Sequence, residues 1–271
     1  MTTLNDPYSG IARIYDPLLQ PFLARIRWET ALYCLHNNLT HVLDMGCGTG
    51  RQCIVFHRHG LQATGVDSSP AMLKVARAQS HQSISYFCLD ATRTEFPDSS
   101  FDAVTFSFAL HENTLSTISR LLQEGQRLLK PQGMLLITDY LTPNSVSQRF
   151  VHLGIAVIER LAGREHSRNY RGFLSAGGVN RVPNSVLTMR ALDCRPFFFN
   201  SFAFIALRKT RNKRHHQIQT AADDGNRPRN PGIHIQNQPG SLCWQAESMI
   251  QALGPWEPDG GCTRKLLSEM A

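Results

Sequence analysis

Long apolar runs are what this 271-residue chain has least of. A helix that crosses a bilayer needs roughly 20 consecutive apolar residues. The two most apolar stretches, residues 153–162 and 197–207, are shorter, and the second reads better as paired strands. No transmembrane segment is expected. The opening Met1-Thr-Thr-Leu-Asn-Asp6 lacks a basic start before an apolar core, so no secretory signal is expected either. Also missing is any C-x-x-C pair. The seven cysteines (Cys34, Cys47, Cys53, Cys88, Cys194, Cys243 and Cys262) are odd in number, and several lie in apolar segments. A free thiol there behaves as a small hydrophobe, which argues for a reducing, cytoplasmic compartment and against a disulfide framework or a zinc site. His215-His216 are read as solvated, so no metal site is assigned.

The chain carries only 21 acids against 28 Lys and Arg, a net charge of +7. Most of the excess is scattered, as at Arg25 and Arg27, Arg120 and Arg127, or Arg164, Arg168 and Arg171, which is how a solvated face looks. The one dense run is Arg208-Lys209-Thr-Arg211-Asn-Lys213-Arg214. Aromatics are not interleaved with these charges as in a nucleic-acid module, so a small-molecule partner is favoured over RNA or DNA. The sequence says nothing of oligomeric state.

What is present is a glycine-rich turn, His41-Val-Leu-Asp-Met-Gly-Cys-Gly-Thr-Gly-Arg51. An apolar run ends in Asp44, and Gly46, Gly48 and Gly50 follow at alternate positions before a helical segment, residues 52–57. That is a buried strand feeding a tight turn whose backbone approaches a ligand, with helix N–H groups facing the same place. Other nucleotide loops are excluded by spacing. The dinucleotide fingerprint is G-x-G-x-x-G with a diphosphate on the helix, and the P-loop ends in Lys-Ser/Thr. An acid before the first glycine repels a diphosphate and suits a cation. S-adenosylmethionine, a cationic adenosine ligand, is therefore favoured over NAD or ATP. The alternative for the glycines is a purely structural turn.

Further strand ends carry acids at a regular pitch. Gln62–Asp67 is a second strand, and Asp67 stands where a carboxylate accepts both ribose hydroxyls. Ser68-Ser69-Pro70 caps a helix over 71–78 that includes Met72. A third strand, 84–89, ends at Asp90-Ala91, placed for an adenine amino group or, alternatively, for a helix cap. Residues 101–108 form a fourth strand, 115–129 a helix stopped by Lys130-Pro131-Gln-Gly133, and 134–138 a fifth strand ending at Asp139-Tyr140. Strands alternating with helices predict a doubly wound α/β sheet.

In these residues the chain resembles the class I S-adenosylmethionine-dependent methyltransferases. The glycine loop, Val66–Leu73, Leu89-Asp90-Ala91, Phe101-Asp102 and Leu129–Gly133 match that family's successive motifs in order, over residues 8–209. Within the class it is similar to the small-molecule branch that includes ubiquinone and menaquinone biosynthesis methyltransferases. The resemblance implies a mostly parallel, seven-stranded Rossmann-like sheet closed by a hairpin of 186–194 and 201–207, its last strand antiparallel. It also implies S-adenosylmethionine as cofactor, bound by Asp44, Gly46, Cys47, Gly48, Gly50, Asp67, Ser68, Met72, Asp90 and Ala91.

Methyl transfer from a sulfonium needs in-line placement and exclusion of water more than acid–base help. A base, where one is needed, is sought at the carboxyl edge of the fourth and fifth strands: His111 with Glu112, or Asp139 with Tyr140. The alternative for His111 is a helix cap or a pocket lining. A planar-nitrogen methyltransferase would show an Asn/Asp-Pro-Pro-Tyr-like tetrapeptide, and the fourth strand here runs into Ser107-Phe-Ala-Leu-His111. RNA or protein methylation, and a non-catalytic cofactor-binding subunit, remain the alternatives.

Three parts are expected. Residues 1–40 are a helical cap, broken by Pro17 and Pro21, with Tyr8 and Tyr15 able to touch ligand or simply to stand wet on the surface. Residues 41–209 are the methyltransferase domain, including an apolar helix, 144–163, expected to be buried on much of its surface, with a place over the pocket, on an apolar substrate or on a membrane surface as the alternative, and a helix ending at Gly177-Gly178. Residues 210–271, rich in Asn, Gln, Pro, Gly and His to Gly240, are expected to be poorly structured.

Overall fold

A computed structural model describes residues 15–182 and 189–209, with side chains from Leu23 onward except at 161–162. These residues fall within one compact unit, Met1–Ile218. The tail beyond 209, Tyr8 and residues 186–188 of the expected sixth strand lie outside the described residues.

Seven strands form one sheet. In chain order the elements are α1 (Tyr15–His36), β1 (His41–Met45), α2 (Arg51–Arg58), β2 (Gln62–Asp67), α3 (Pro70–Gln79), β3 (Ser85–Cys88), β4 (Phe101–Ser107), α4 (Leu115–Leu128), β5 (Leu129–Tyr140), α5 (Val146–Ala162), α6 (Arg164–Ser175), β6 (Met189–Phe197) and β7 (Phe202–Lys209). The sheet order is β3-β2-β1-β4-β5-β7-β6. β1 to β5 are mutually parallel, and β7 runs antiparallel between β5 and β6, so the sheet is mixed. The chain winds outward from β1 through β3, then restarts at β4 on the other side of β1. Right-handed crossovers therefore put α2 and α3 on one face and α4 on the other, and the two windings part between β1 and β4, where such sheets bind ligands.

The central strands are apolar because both their faces are covered. Val42, Leu43, Met45, Val104, Phe106, Leu135 and Ile137 are buried. Helix starts follow local chemistry. The Ser69 hydroxyl accepts the Met72 N–H with Pro70 beside it, Thr114 accepts from Thr117, and Ser145 and Gln148 form a capping box on α5. Asp102 ties three strands at the opposite edge. Its Oδ2 accepts the Thr40 and His41 N–H groups, and its Oδ1 accepts Lys130 Nζ at 2.9 Å. Although partial burial works the other way, these donors hold its carboxyl well below the usual range.

Four expectations change. α1 is continuous from Tyr15 and is not broken by its prolines: Pro17 falls in the first turn, where N–H groups lack partners anyway, and Pro21 removes a single bond. β5 starts at Leu129, paired with Phe101, and its ladder resumes at Ala103 with Met134 after an irregularity that includes Gln132 at φ 69°. The helix ending near Gly177 starts as early as Arg164, one residue after α5, with Gly163 at φ 140° between them. The apolar helix α5 is not buried on much of its surface: Val146, Phe150, Leu153 and Val157 are exposed.

Candidate active site

β1 ends in Asp44-Met45, and the turn that follows builds the floor of a crevice of about 270 Å³. Gly46 is needed there twice over. Its φ is 74°, and a Cβ would stand 2.8 Å from the Ala109 methyl of the loop after β4. Gly50 does not reach the crevice. Its φ is 77° and a side chain would collide with the Tyr86 hydroxyl, so this third glycine serves packing against β3 and α3.

Asp44 is 1% exposed yet lines the crevice. Its Oδ1 accepts Thr105 Oγ1 at 2.7 Å and its Oδ2 the Cys53 thiol at 3.8 Å. Burial pushes its carboxyl up to about 6, against the opposing pull of Thr105 and of Arg27 on α1. A cation in the space that it lines would favour its charged form. Asp67, at the end of β2, accepts the Gly48 N–H on Oδ2 at 2.7 Å and the Ser69 N–H on Oδ1 at 2.8 Å. The same carboxylate thus holds the glycine turn and the start of α3 while facing the crevice. Asp90 is exposed at its rim, with Oδ1 accepting the Thr92 N–H at 2.8 Å.

Of the ten residues expected at the cofactor, the structure brings Asp44, Gly46, Cys47, Gly48, Asp67, Ser68, Met72, Asp90 and Ala91 to this crevice, and leaves Gly50 behind it. Of the four acid–base candidates, Glu112 alone lines it, beside Asn113. His111, Asp139 and Tyr140 stand behind the wall. His111 is 1% exposed, with Nδ1 2.8 Å from Asp139 Oδ1 and Nε2 3.4 Å from Glu159 Oε1. Burial alone would lower its pKa, but the two carboxylates outweigh it and hold the imidazole well above its ordinary value. An imidazolium clamped between two acids is a poor proton acceptor near neutral pH. Asp139 also accepts the Leu110 and His111 N–H groups at 3.0 and 3.2 Å. It thereby shapes the loop that leaves β4 through Phe108, held at φ 56°.

Several lining residues were not singled out from the sequence. Phe106 and Ser107 come from the carboxyl end of β4, Phe108 and Ala109 from the loop that leaves it, Leu23 and Arg27 from α1, and Thr117 and Leu121 from α4. The β4 residues carried a usable signal, since they end the strand beside the switch point. Those on α1 and α4 are brought in by packing alone. Among the described residues no cluster of His, Cys, Asp or Glu could hold a metal ion, and no helix is long and apolar enough to cross a membrane.

A methyltransferase domain family matches residues 43–137, which hold the glycine turn and four of the strands around the crevice. The demethylmenaquinone methyltransferase of Tropheryma whipplei (strain Twist) is 34% identical over 163 residues, covering 57% of this chain and 66% of that protein. In these residues the chain is similar to the class I S-adenosylmethionine-dependent methyltransferases. The chain spans just under two thirds of the length of the curated relatives it matches, 66% and 62% for the Tropheryma and Thermotoga maritima proteins. Among solved structures, the N-methyltransferase NodS from Bradyrhizobium japonicum WM9, in complex with S-adenosyl-L-homocysteine, is similar to it. That similarity has a TM-score of 0.56 at 15% identity and covers 76% of this chain and 99% of that one. It shows that the chain shares the fold.

Proposed function

We propose that this chain transfers a methyl group from S-adenosylmethionine to a small, apolar, quinone-like acceptor by in-line displacement. One observation carries the reading: a buried acid, Asp44, lies under a glycine turn at the switch point of the sheet, where a ligand cation meets a carboxylate. In this reading Asp44 faces the methionine end of the donor, with its sulfonium and ammonium. Gly46, Cys47 and Gly48 let the backbone pass alongside. Asp67 takes the ribose hydroxyls on the lone pairs that its backbone bonds leave over, Ser68 and Met72 flank the nucleoside, and Asp90 with Ala91 meets the adenine.

The donor is already activated and its leaving thioether is neutral, so the chain's work is placement and exclusion of water. Glu112 is assigned the proton of a hydroxyl acceptor, since it shares the crevice. His111, Asp139 and Tyr140 are assigned to holding the loop after β4. An apolar acceptor is supported by the aromatic wall of Phe106 and Phe108 and by the activity for which the relatives are named, demethylmenaquinone methylation. The free thiols among the described cysteines fit work in the cytoplasm.

The test is an extract of small apolar metabolites incubated with the chain and methyl-labelled donor. Label in one extractable product, matched by S-adenosylhomocysteine, supports the reading. Donor binding by calorimetry without S-adenosylhomocysteine would make the chain a binding subunit, and no binding would remove the cofactor assignment.

A further inference from the structure

α5 has its amphipathicity reversed. The side facing the protein carries Gln148, His152 and Glu159, all buried. The side facing water carries Val146, Phe150, Leu153 and Val157, exposed to 70, 70, 64 and 55%. Their spacing of four, three and four residues draws one stripe along a 3.6-residue helix. Phe199, also 70% exposed, continues it. Gln148 Nε2 donates to the Phe199 and Asn200 carbonyls at 3.1 and 3.2 Å, which fixes the β6–β7 turn beside the start of α5. Apolar side chains gathered in this way mark an interaction surface rather than the scatter of an ordinary exterior.

Charge is sorted on the same helix. Its one acid, Glu159, is turned inward onto His111 and His166. Both its arginines, Arg149 and Arg160, are exposed and lie along one border of the stripe. α6, packed against α5, adds exposed Arg164, Arg168 and Arg171 against one exposed acid, Glu165. An apolar stripe with a guanidinium border is complementary to acyl chains beneath anionic headgroups. A second copy meeting this face symmetrically would set arginines against arginines.

We propose that the outer face of α5, extended by Phe198 and Phe199, docks the chain on the surface of an anionic lipid bilayer. The position is apt. Tyr140 pairs with Phe202, so the β6–β7 turn lies past the same sheet edge at which the crevice opens. The inner side of α5 meets His111 and Tyr140 through Glu159, directly behind the loop that walls the crevice. The docking depends only on this face and not on the methyl-transfer reading. If that reading also holds, an apolar acceptor dissolved in the bilayer reaches the crevice with little exposure to water.

Full-length chain is sedimented with vesicles of phosphatidylglycerol mixed with phosphatidylcholine, and with phosphatidylcholine alone. Binding to the mixed vesicles is expected, weaker by about tenfold on phosphatidylcholine alone and in high salt. Phe150→Asp with Leu153→Asp is expected to lose binding by a similar factor. Arg149→Glu with Arg160→Glu is expected to lose the preference for anionic vesicles. All four side chains are exposed, so the thermal unfolding midpoint should be that of the wild type, checked by circular dichroism. The proposal is overturned if the wild-type chain stays in the supernatant with mixed vesicles, or if both double variants sediment as it does. It is also overturned if light scattering shows a dimer that the aspartate variant dissociates, which would make a second copy the occupant.

Discussion

In the proposed reading, Asp44 is the residue on which charge selection turns. Its carboxyl titrates at about 6 because it is buried, and only its ionised form attracts a cationic donor. Donor affinity measured by calorimetry is therefore expected to be highest above that pH and to fall as pH drops through it. Asp44→Asn should flatten the profile and bind at least about tenfold more weakly above pH 7, the loss of a charge-assisted contact. The same raised value means that, for this group alone, folding is favoured below its ordinary pKa of 3.8 and loses that contribution as pH rises through about 6. A bound cation offsets the loss. Asp67→Ala is expected to weaken donor binding by roughly 2–4 kcal/mol, since two hydroxyl contacts vanish together with the anchors of Gly48 and Ser69. Unchanged affinity in the same titration would remove Asp67 from the site. These residues were legible because strand-end acids and alternate glycines have a fixed spacing along the chain. The position of Gly50 behind the crevice was not, because its neighbour Tyr86 is 36 residues away.

The link between β4, β5 and α5 is a buried ionic one. Asp139 receives the Leu110 and His111 amides, the Tyr140 amide and the His111 ring, all at 3.2 Å or less. Asp139→Ala strands an imidazolium and several N–H groups in the interior and is expected to lower unfolding free energy by about 3–5 kcal/mol in urea. Donor affinity should fall with it, because Phe108 and Ala109 lose their support. Glu159 has the opposite pH signature to Asp44. Burial would raise its pKa, but His111 and His166 outweigh that and bring it down to about 2 from 4.5. Its contribution to stability is present above 4.5 and is lost as pH falls toward 2, so Glu159→Gln should flatten the acid limb of a stability–pH curve. At the level of elements, strand and helix order could be read from period and caps. The state of His111 could not, because Glu159 lies 48 residues downstream and reaches it only through the packing of α5.

For the whole molecule, the crevice is assembled from α1, the turns after β1, β2, β3 and β4, and α4. A ligand held by so many elements stabilises them together. Donor at a hundred times its dissociation constant should add about 2.7 kcal/mol to the unfolding free energy. That corresponds to roughly 5–10 °C in the melting midpoint. A thermal-shift series with donor, S-adenosylhomocysteine and NAD checks this, and a shift with NAD alone would reassign the crevice.

Local chemistry in the sequence was enough to determine the alternation of strands and helices, the glycine turn, the acids at the strand ends and the family they announce. Each of these depends on residues within a few positions of one another. Tertiary structure alone decided which of those residues share the crevice, that His111 is clamped between carboxylates, and that the apolar side of α5 faces outward. Periodicity records that a helix has an apolar stripe, but which side meets the protein depends on partners such as Tyr140, Tyr170 and the β6–β7 turn, brought together only when the sheet closes.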